Sequence, residues 1–250
     1  MKTLIINNKQ IEFVRHQYLG TPLWMIGPGG NPSKLTEEQW LAVRTADFKA
    51  QYGDWESAWK KQALEALTPI EAPEISIVPE YFICKARTTE ILHNQIAWAY
   101  SKITNKTPDS PVGKVSITKK GIRDSLFKGI NKYKASLYPI LDCLIKNSIM
   151  LYTNIDADNN RQFILGSKYV RNNEKNYVGI VIKIDSRGNK YYSHTIYQKN
   201  NRKAQGVPGN QGLTQKLHPA INTILQDIFN VNLKRISIPI DSMTNEPILK

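Results

Sequence analysis

Cysteine is scarce in this chain: its 250 residues include two, Cys84 and Cys143. Two cysteines do not build the disulfide framework on which small secreted domains rely. Each lies near an apolar segment, which predicts a buried free thiol. A disulfide-stapled scaffold is therefore excluded, and a reducing cytoplasm is the expected setting.

Long apolar runs are also lacking. One of the longest candidates, YVGIVIKI at residues 177–184, is far shorter than the roughly 18 apolar residues that a membrane-spanning helix requires. The first residues, MKTLIINNKQ, carry too short an apolar run for a signal peptide. We therefore expect no membrane partner.

Common motifs for metal sites, phosphate loops and catalytic nucleophiles are missing as well. The chain has no HExxH, CxxC or GxSxG pattern. The turn cluster GPGGNP (27–32) is not followed by the Lys-Ser/Thr of a phosphate-binding loop, and DADNN (156–160) lacks the glycine and distal glutamate of a calcium loop. We therefore expect no metal and no cofactor.

Acidic residues are too few to balance the basic ones, and the excess is unevenly distributed. The chain has 34 Lys and Arg against 21 Asp and Glu, a formal net charge of +13. Residues 1–80 hold 8 basic and 10 acidic residues (8 − 10 = −2), which leaves 26 and 11 for residues 81–250 (26 − 11 = +15). This asymmetry predicts two modules, of which the second attracts polyanions such as RNA or DNA. A merely soluble basic surface is the alternative.

The first module is predicted at residues 1–67. TLIINNKQIEFVRH (3–16) is interpreted as a hairpin with a turn at Asn7-Asn8. TEEQ (36–39) is a capping box that begins a short helix, and two more helices are expected before residue 68. TPIEAPEISIVPE (68–80) has three prolines and three glutamates, which predicts an extended linker.

The second module, residues 81–250, is predicted to be α+β. Helices are expected at 88–103, at 119–130 and, with a break or kink at Pro139, at 134–147, and KVSIT (114–118) is a candidate short strand. The hydrophobic period then changes from 3.6 to 2, which predicts a four-stranded antiparallel meander packed against these helices. The four strand segments are SIMLYT (148–153), QFILGSKYV (162–170), NYVGIVIKI (176–184) and KYYSHTIYQ (190–198).

A polar loop at 199–216 follows the fourth strand and contains Arg202 and Lys203. Loops of this length are uncommon in compact domains and tend to be functional or disordered. A helix at 219–229 and a strand at 232–240 complete the prediction.

The fourth strand contains His194, one of four histidines in the chain. A two-residue turn at Arg187-Gly188 would turn His194 away from the isoleucines of the preceding strand. A three-residue turn would shift the pairing by one and place it on the isoleucine face. The residues leave both registers open, and with them a catalytic or a structural His194.

Three blocks of the second module resemble a known family. ITKKGIRDSL (117–126), SLYPILDCLIKNSIML (136–151) and YVGIVIKIDSRGNKYYSHTIY (177–197) are similar to a nuclease-like domain of phage large polyvalent proteins, in the barnase–EndoU–colicin–RelE group. RTADFKAQYGDWE (44–56) is similar to a short motif that often precedes toxin-like domains in such proteins, with Gln51-Tyr52 where that motif usually has an aromatic pair. The resemblance implies a metal-independent ribonuclease-type fold, encoded by a phage or mobile element and acting in the cytoplasm of a bacterial host.

Metal-independent RNA cleavage needs a base for the 2′-OH, an acid for the leaving 5′-oxygen and cations for the phosphate. These requirements define the predicted catalytic set, in which a histidine suits the acid or base and Lys and Arg suit the phosphate: His194, Lys120, Arg123 and Ser125. A second set is predicted to contact RNA through charge or base stacking: Lys119, Tyr191, Tyr192, Tyr197, Arg202 and Lys203.

For most of these residues an ordinary role is the alternative. A solvated basic face would explain the lysines and Arg123, and cross-strand packing would explain the tyrosines. The expected partner is RNA, including structured RNA such as tRNA. The other functions left open are a non-catalytic nucleic-acid-binding module and a protein-interaction domain that meets an acidic inhibitor protein.

Overall fold

The computed structural model describes residues 8–27, 31–83, 88–129, 131–155 and 160–197. They belong to two compact units, of which the first ends, in its described part, at Ala63 and the second begins at Leu64. This division falls within the helix Trp55–Ala66, shortly before the segment predicted as a linker. The predicted loop at 199–216, helix at 219–229 and strand at 232–240 lie outside the described residues.

The described part of unit 1 is helical. Its helices are α1 (Asn8–Tyr18), α2 (Glu37–Ala42), α3 (Ala46–Tyr52) and all but the last turn of α4 (Trp55–Ala66). The predicted capping box is confirmed, since Thr36 and Gln39 bond to each other's backbone N–H groups at the start of α2. Helix α3 ends at Gly53, whose φ of 93° favours glycine.

The predicted hairpin at 3–16 is wrong for its described residues, because Asn8–Tyr18 is a helix. Ile11, Val14 and Tyr18 lie three and four residues apart, which places them on one helical face. That face packs against Trp40 and Leu41, and burial of this stripe outweighs the strand-like alternation of the segment.

A carboxylate lies at the polar centre of unit 1. Glu56 is buried and accepts hydrogen bonds from the Tyr18 hydroxyl at 2.6 Å, Lys49 Nζ at 2.7 Å and Lys60 Nζ at 3.0 Å. Burial alone would raise the pKa of Glu56, but Lys49, Lys60 and Arg44 together lower it well below its ordinary value. Unit 1 therefore matches its buried cations with a buried anion.

Unit 2 combines short helices with a sheet, so the predicted α+β class is confirmed. The helices among its described residues are α5 (Glu80–Ile83), α6 (Thr89–Ser101), α7 (Lys119–Phe127), α8 (Lys132–Ala135) and α9 (Leu141–Lys146), with 3-10 turns at Ile75–Ile77 and Tyr138–Ile140. Its strands are β1 (Ile70–Glu71), β2 (Ser148–Ile155), β3 (Arg161–Arg171), β4 (Glu174–Ile184) and β5 (Lys190–Tyr197).

The sheet is mixed rather than purely antiparallel. The four predicted strands, β2 to β5, pair with their chain neighbours in antiparallel fashion, as expected from their short connections. The fifth strand, β1, was not predicted and pairs in parallel with β3, with Ile70 opposite Tyr169. The antiparallel meander is thus four strands of a five-stranded sheet.

Strand β1 lies inside the segment predicted as a linker, residues 68–80. The backbone N–H of Ala72 donates to the Val170 carbonyl at 2.8 Å, and both Ala72 and Val78 are buried. The proline-rich segment therefore contributes to unit 2, because its residues Ile70 and Glu71 pair with a part of β3 that lies beyond the residues paired with β2.

Three further expectations have definite outcomes. The helix expected at 134–147 is broken around Pro139 into α8, a 3-10 turn and α9. Cys143 is exposed, so its predicted burial is wrong; α9 instead buries Leu141, Asp142, Leu144 and Ile145. The candidate strand at 114–118 is reduced to one bridge, between Ser116 and Tyr191.

No helix among the described residues is long and apolar enough to cross a bilayer. The helix α6 has 13 residues, whereas a span takes about 20.

The contact of α7 with β5 positions the candidate site. Thr118 caps α7 by accepting a hydrogen bond from Gly121 N at 3.1 Å. The helix buries Gly121, Ile122, Ser125 and Leu126. A Cβ added at Gly121 would lie 2.0 Å from the Tyr192 carbonyl oxygen, so this close approach of helix and strand requires glycine.

Substituting Gly121→Ala should therefore destabilise the protein by about 3 kcal/mol, the upper end of overpacking costs. At an unconstrained helical position the same change would stabilise by up to about 1 kcal/mol, because alanine is the better helix former. Denaturant unfolding measures the difference. Gly166→Ala is the comparison, since its added Cβ meets side-chain atoms of Leu151 rather than backbone. A Gly121→Ala variant as stable as the wild type would contradict the packing.

Candidate functional site

The outer surface of α7 carries a row of cations. Lys119, Lys120 and Arg123 are exposed, and exposed Lys128 is the C-cap of the helix. Among the described residues, no carboxylate lies within 4.0 Å of the ammonium groups of the three lysines. Arg123 Nε lies 3.8 Å from Asp124 Oδ1, a long and largely exposed contact. Residues 119–128 thus hold four cations and one anion, a net of +3 (4 − 1).

The same surface exposes an aromatic ring. Phe127 is 71% exposed at the end of α7, whereas the preceding Leu126 is 8% exposed. Lys120, Arg123 and Phe127 follow the spacing i, i+3, i+7 and therefore share one face of the helix. The sequence interpretation overlooked Phe127, because an aromatic residue in an amphipathic helix is ordinarily assigned to the core.

Two lysines extend the basic surface towards α6. The Nζ atoms of Lys106 and Lys119 lie 4.8 Å and 5.9 Å from the centroid of the half-buried Tyr100 ring. Both distances fall within the range in which a cation is attracted to an aromatic face. Tyr100 thereby holds two ammonium groups near the beginning of α7.

Strand β5 adopts both registers that the sequence left open. Ile182 pairs with Tyr192, as a three-residue turn requires, and the Asp185 carboxylate stabilises that turn by accepting from the N–H groups of Arg187 and Asn189. The register then shifts, and Ile180 pairs with Thr195, as a two-residue turn would give. The two halves of the strand are joined by a bulge at Ser193, which has no paired residue on β4.

The bulge determines the place of His194. It lies opposite Val181, so the register turns it away from the face that holds Ile180 and Ile182. His194 is half-buried, and its Nδ1 lies 3.1 Å from Ser193 Oγ. A strictly alternating strand could not have placed both Tyr192 and Thr195 on the isoleucine face.

His194 is surrounded by positive charge. Burial, and then the charges of Lys134, Lys128 and Lys183, lower its pKa to about 3. The imidazole is therefore neutral at pH 7. Of the cations on α7, Lys128 acts on His194, whereas the predicted partners Lys120 and Arg123 are not among the charges that shift its pKa.

Ser125 and Tyr192 belong to a buried hydroxyl network. Ser125 Oγ lies 3.0 Å from Tyr192 OH and accepts from Tyr138 OH at 3.2 Å, and Tyr192 OH lies 2.9 Å from Thr195 Oγ1. Burial raises the pKa of Tyr192 to about 12. Both Ser125 and Tyr192 are 0% exposed, so neither reaches a surface where RNA could contact it in this conformation.

Lys134 is a residue that the sequence interpretation missed. It is buried, and its Nζ donates to the carbonyls of Ser125 at 2.8 Å and Gly129 at 2.9 Å, at the C-terminal end of α7. Burial lowers its pKa to about 7. No pattern around KASLYP marks this lysine, because its role depends on how α8 packs against α7.

The structure thus separates the predicted site residues. Lys119, Lys120 and Arg123 share the exposed surface of α7, and Tyr191 is half-buried. Tyr197 pairs with Val178 through its backbone, and its side chain lies outside the described atoms. Arg202 and Lys203 lie outside the described residues.

A metal centre is not evident in the described part of the chain, where no three His, Cys, Asp or Glu side chains cluster as ligands. No family model, curated protein or solved structure matches this chain. The resemblance to a nuclease-like domain therefore stays a prediction, and the geometry of α7 and β5 is what supports a function.

Proposed function

We propose that unit 2 is a nucleic-acid-binding module whose contact surface is the exposed side of α7, with RNA as the main partner. The observation that carries this proposal is the row formed by Lys119, Lys120, Arg123 and Lys128, in which the three lysines have no described carboxylate within 4.0 Å. A protein normally intersperses surface charges of both signs. An unbalanced row along one helix matches the regularly spaced phosphates of a nucleic acid.

Two lysines of unit 1 support this proposal because, unlike those of α7 in the part of the chain that the structure describes, they contact a carboxylate. The buried Lys60 and the partly buried Lys49 both contact Glu56, so their charges are compensated within the fold. Among the described residues, the three lysines on α7 contact no carboxylate within 4.0 Å, so the partner in this proposal is a polyanion outside the chain. The setting we propose, from the resemblance alone, is the cytoplasm of a bacterial host, with a phage or mobile element as the source.

If α7 binds phosphate, the Lys120→Ala and Arg123→Ala variants should each bind RNA more weakly. Each should also reduce the slope of log affinity against log salt by about 0.7–0.9, since one fewer counterion is released. Fluorescence anisotropy with labelled RNA at several salt concentrations measures both quantities. Lys146→Ala and Lys175→Ala are the matched controls, because both lysines are exposed on other elements of unit 2. Equal losses in all four variants would point to nonspecific attraction by the net charge.

A second candidate function is metal-independent RNA cleavage, which the surroundings of His194 favour. Its neutral imidazole can accept the proton of a ribose 2′-OH, water can protonate the leaving 5′-oxygen, and Lys128 and Lys183 can stabilise the charge that grows on the phosphate. A pKa of about 3 makes the free imidazole a weak base. A phosphate bound among these lysines would favour the imidazolium and so raise that pKa.

The predicted roles within this mechanism change accordingly. Lys120 and Arg123 remain candidates for holding phosphate in the bound state. Ser125 is buried in the hydroxyl network, so its contribution would be to position Tyr192 and the strand that carries His194. His194 is the residue on which the cleavage proposal depends.

If the protein cleaves RNA, His194→Ala should lower the cleavage rate by about 10²–10⁴, the usual contribution of a positioned acid or base. RNA affinity should change little, because phosphate contacts provide most of it. Single-turnover cleavage with EDTA present, together with the melting temperature, separates a chemical effect from a folding defect. No cleavage by the wild-type protein in this assay would refute the enzyme and leave the binding module, and rates equal in both proteins would remove His194 from the chemistry.

A further inference from the structure

We propose that the α7 surface selects single-stranded over double-stranded nucleic acid, with Phe127 as a platform on which an unpaired base stacks. This inference rests on the proposed function and names its substrate class. Its starting observation is a phenyl ring that is 71% exposed on a helix surface that also carries four cations and one half-buried carboxylate, Asp124.

The position of Phe127 on α7 explains why its ring is exposed. The apolar residues that precede it on α7, Ile122 and Leu126, are 0% and 8% exposed. Helix α7 therefore has a well-formed buried face, and Phe127 lies outside it. An aromatic side chain left in water to this extent keeps most of its apolar surface available for a ligand.

The neighbours of Phe127 indicate the chemistry of that ligand. Arg123 lies one helical turn before it and Lys120 two turns before it on the same face, and Lys128 is the next residue. A ligand for this row must present a flat apolar group between negative charges about one helical turn apart. Nucleotides have this construction, since each joins a planar base to a phosphate.

The exposed ring distinguishes a single strand from a duplex. In a duplex the base faces are stacked on one another, so the α7 cations could reach phosphates while Phe127 would find no free base. In a single strand, or in a loop or end of a structured RNA, bases can be splayed out and stacked on an aromatic side chain. Stacking of this kind tolerates any base, because every base has a π-face.

The surface is long enough for more than one nucleotide. From Lys119 to Phe127 the chain advances eight residues, about 12 Å along the helix axis. Lys106 and Lys119 both lie near Tyr100 at the beginning of α7, where their ammonium groups can contact further phosphates. Asp124 is the one acidic residue in the segment 119–128, and it contacts Arg123 at 3.8 Å, so the lysines have no carboxylate within 4.0 Å in the described part of the chain.

The test uses the full chain and an RNA of about 12 nucleotides, long enough for one ssRNA-binding site of ordinary size, as a single strand and as a blunt duplex of the same sequence. The wild type should bind the single strand more tightly. Phe127→Ala should weaken single-strand binding by about 5- to 150-fold and change duplex binding less than about twofold. Phe127→Trp should retain the preference, and its indole fluorescence should be quenched on binding.

Two variants make the result specific. Phe13→Ala removes the 60% exposed phenyl ring of α1 in unit 1 and should leave both affinities unchanged. Phe127→Leu keeps an apolar side chain without a π-face and should behave like Phe127→Ala; full single-strand affinity in this variant would overturn stacking.

The failures of the two proposals can be told apart. If Phe127→Ala binds single strands as the wild type does while Lys120→Ala and Arg123→Ala lose affinity, the inference is wrong and the binding function stands. If the wild-type protein binds neither form of the RNA, both proposals are wrong. Equal wild-type affinity for single strand and duplex would also overturn the inference.

Discussion

The close approach of α7 to β5 is the constraint on which the rest of unit 2 depends. Gly121 lets the helix lie against the Tyr192 carbonyl, where any Cβ would clash. With the helix in this position, Ser125 reaches the hydroxyls of Tyr138 and Tyr192, and the carbonyls at the end of α7 receive the ammonium group of Lys134. The buried side of α7 is fixed in this way, so its cations and Phe127 face outward and Lys128 lies where its charge acts on His194.

Positive charge has different surroundings in the two units, and this difference supports the proposed function. In unit 1 the Glu56 carboxylate accepts hydrogen bonds from Lys49, Lys60 and Tyr18. The positive charges of the two lysines are thereby balanced by an anion inside the fold. In unit 2 Lys134 is buried against backbone carbonyls, and the lysines of α7 meet no described carboxylate within 4.0 Å. The first arrangement stabilises a structure, and the second leaves positive charge near α7 of the kind that attracts anions.

The sequence predicts the elements with strong local signals. The capping box at Thr36, the break around Pro139 and the four strands from β2 to β5 follow from side-chain chemistry or periodicity, and all are observed. The missed features depend on contacts between distant segments. Strand β1 forms because β3 extends past β2, and α1 is helical because its apolar stripe meets Trp40. The same holds for the site. The cations of α7 can be identified from the sequence. The bulge at Ser193, the burial of Ser125 and the exposure of Phe127 depend on tertiary packing.

The most direct test of the central claim, that nucleic acid binds on the outer surface of α7, is lysine footprinting of the full chain with and without single-stranded RNA. Acetylation by a water-soluble reagent followed by mass spectrometry reports the accessibility of each ammonium group. We expect RNA to protect Lys119, Lys120 and Lys128 and to leave Lys146 and Lys175, which are exposed on other elements, as reactive as before. Protection of Lys146 and Lys175 with no change at α7 would contradict the claim.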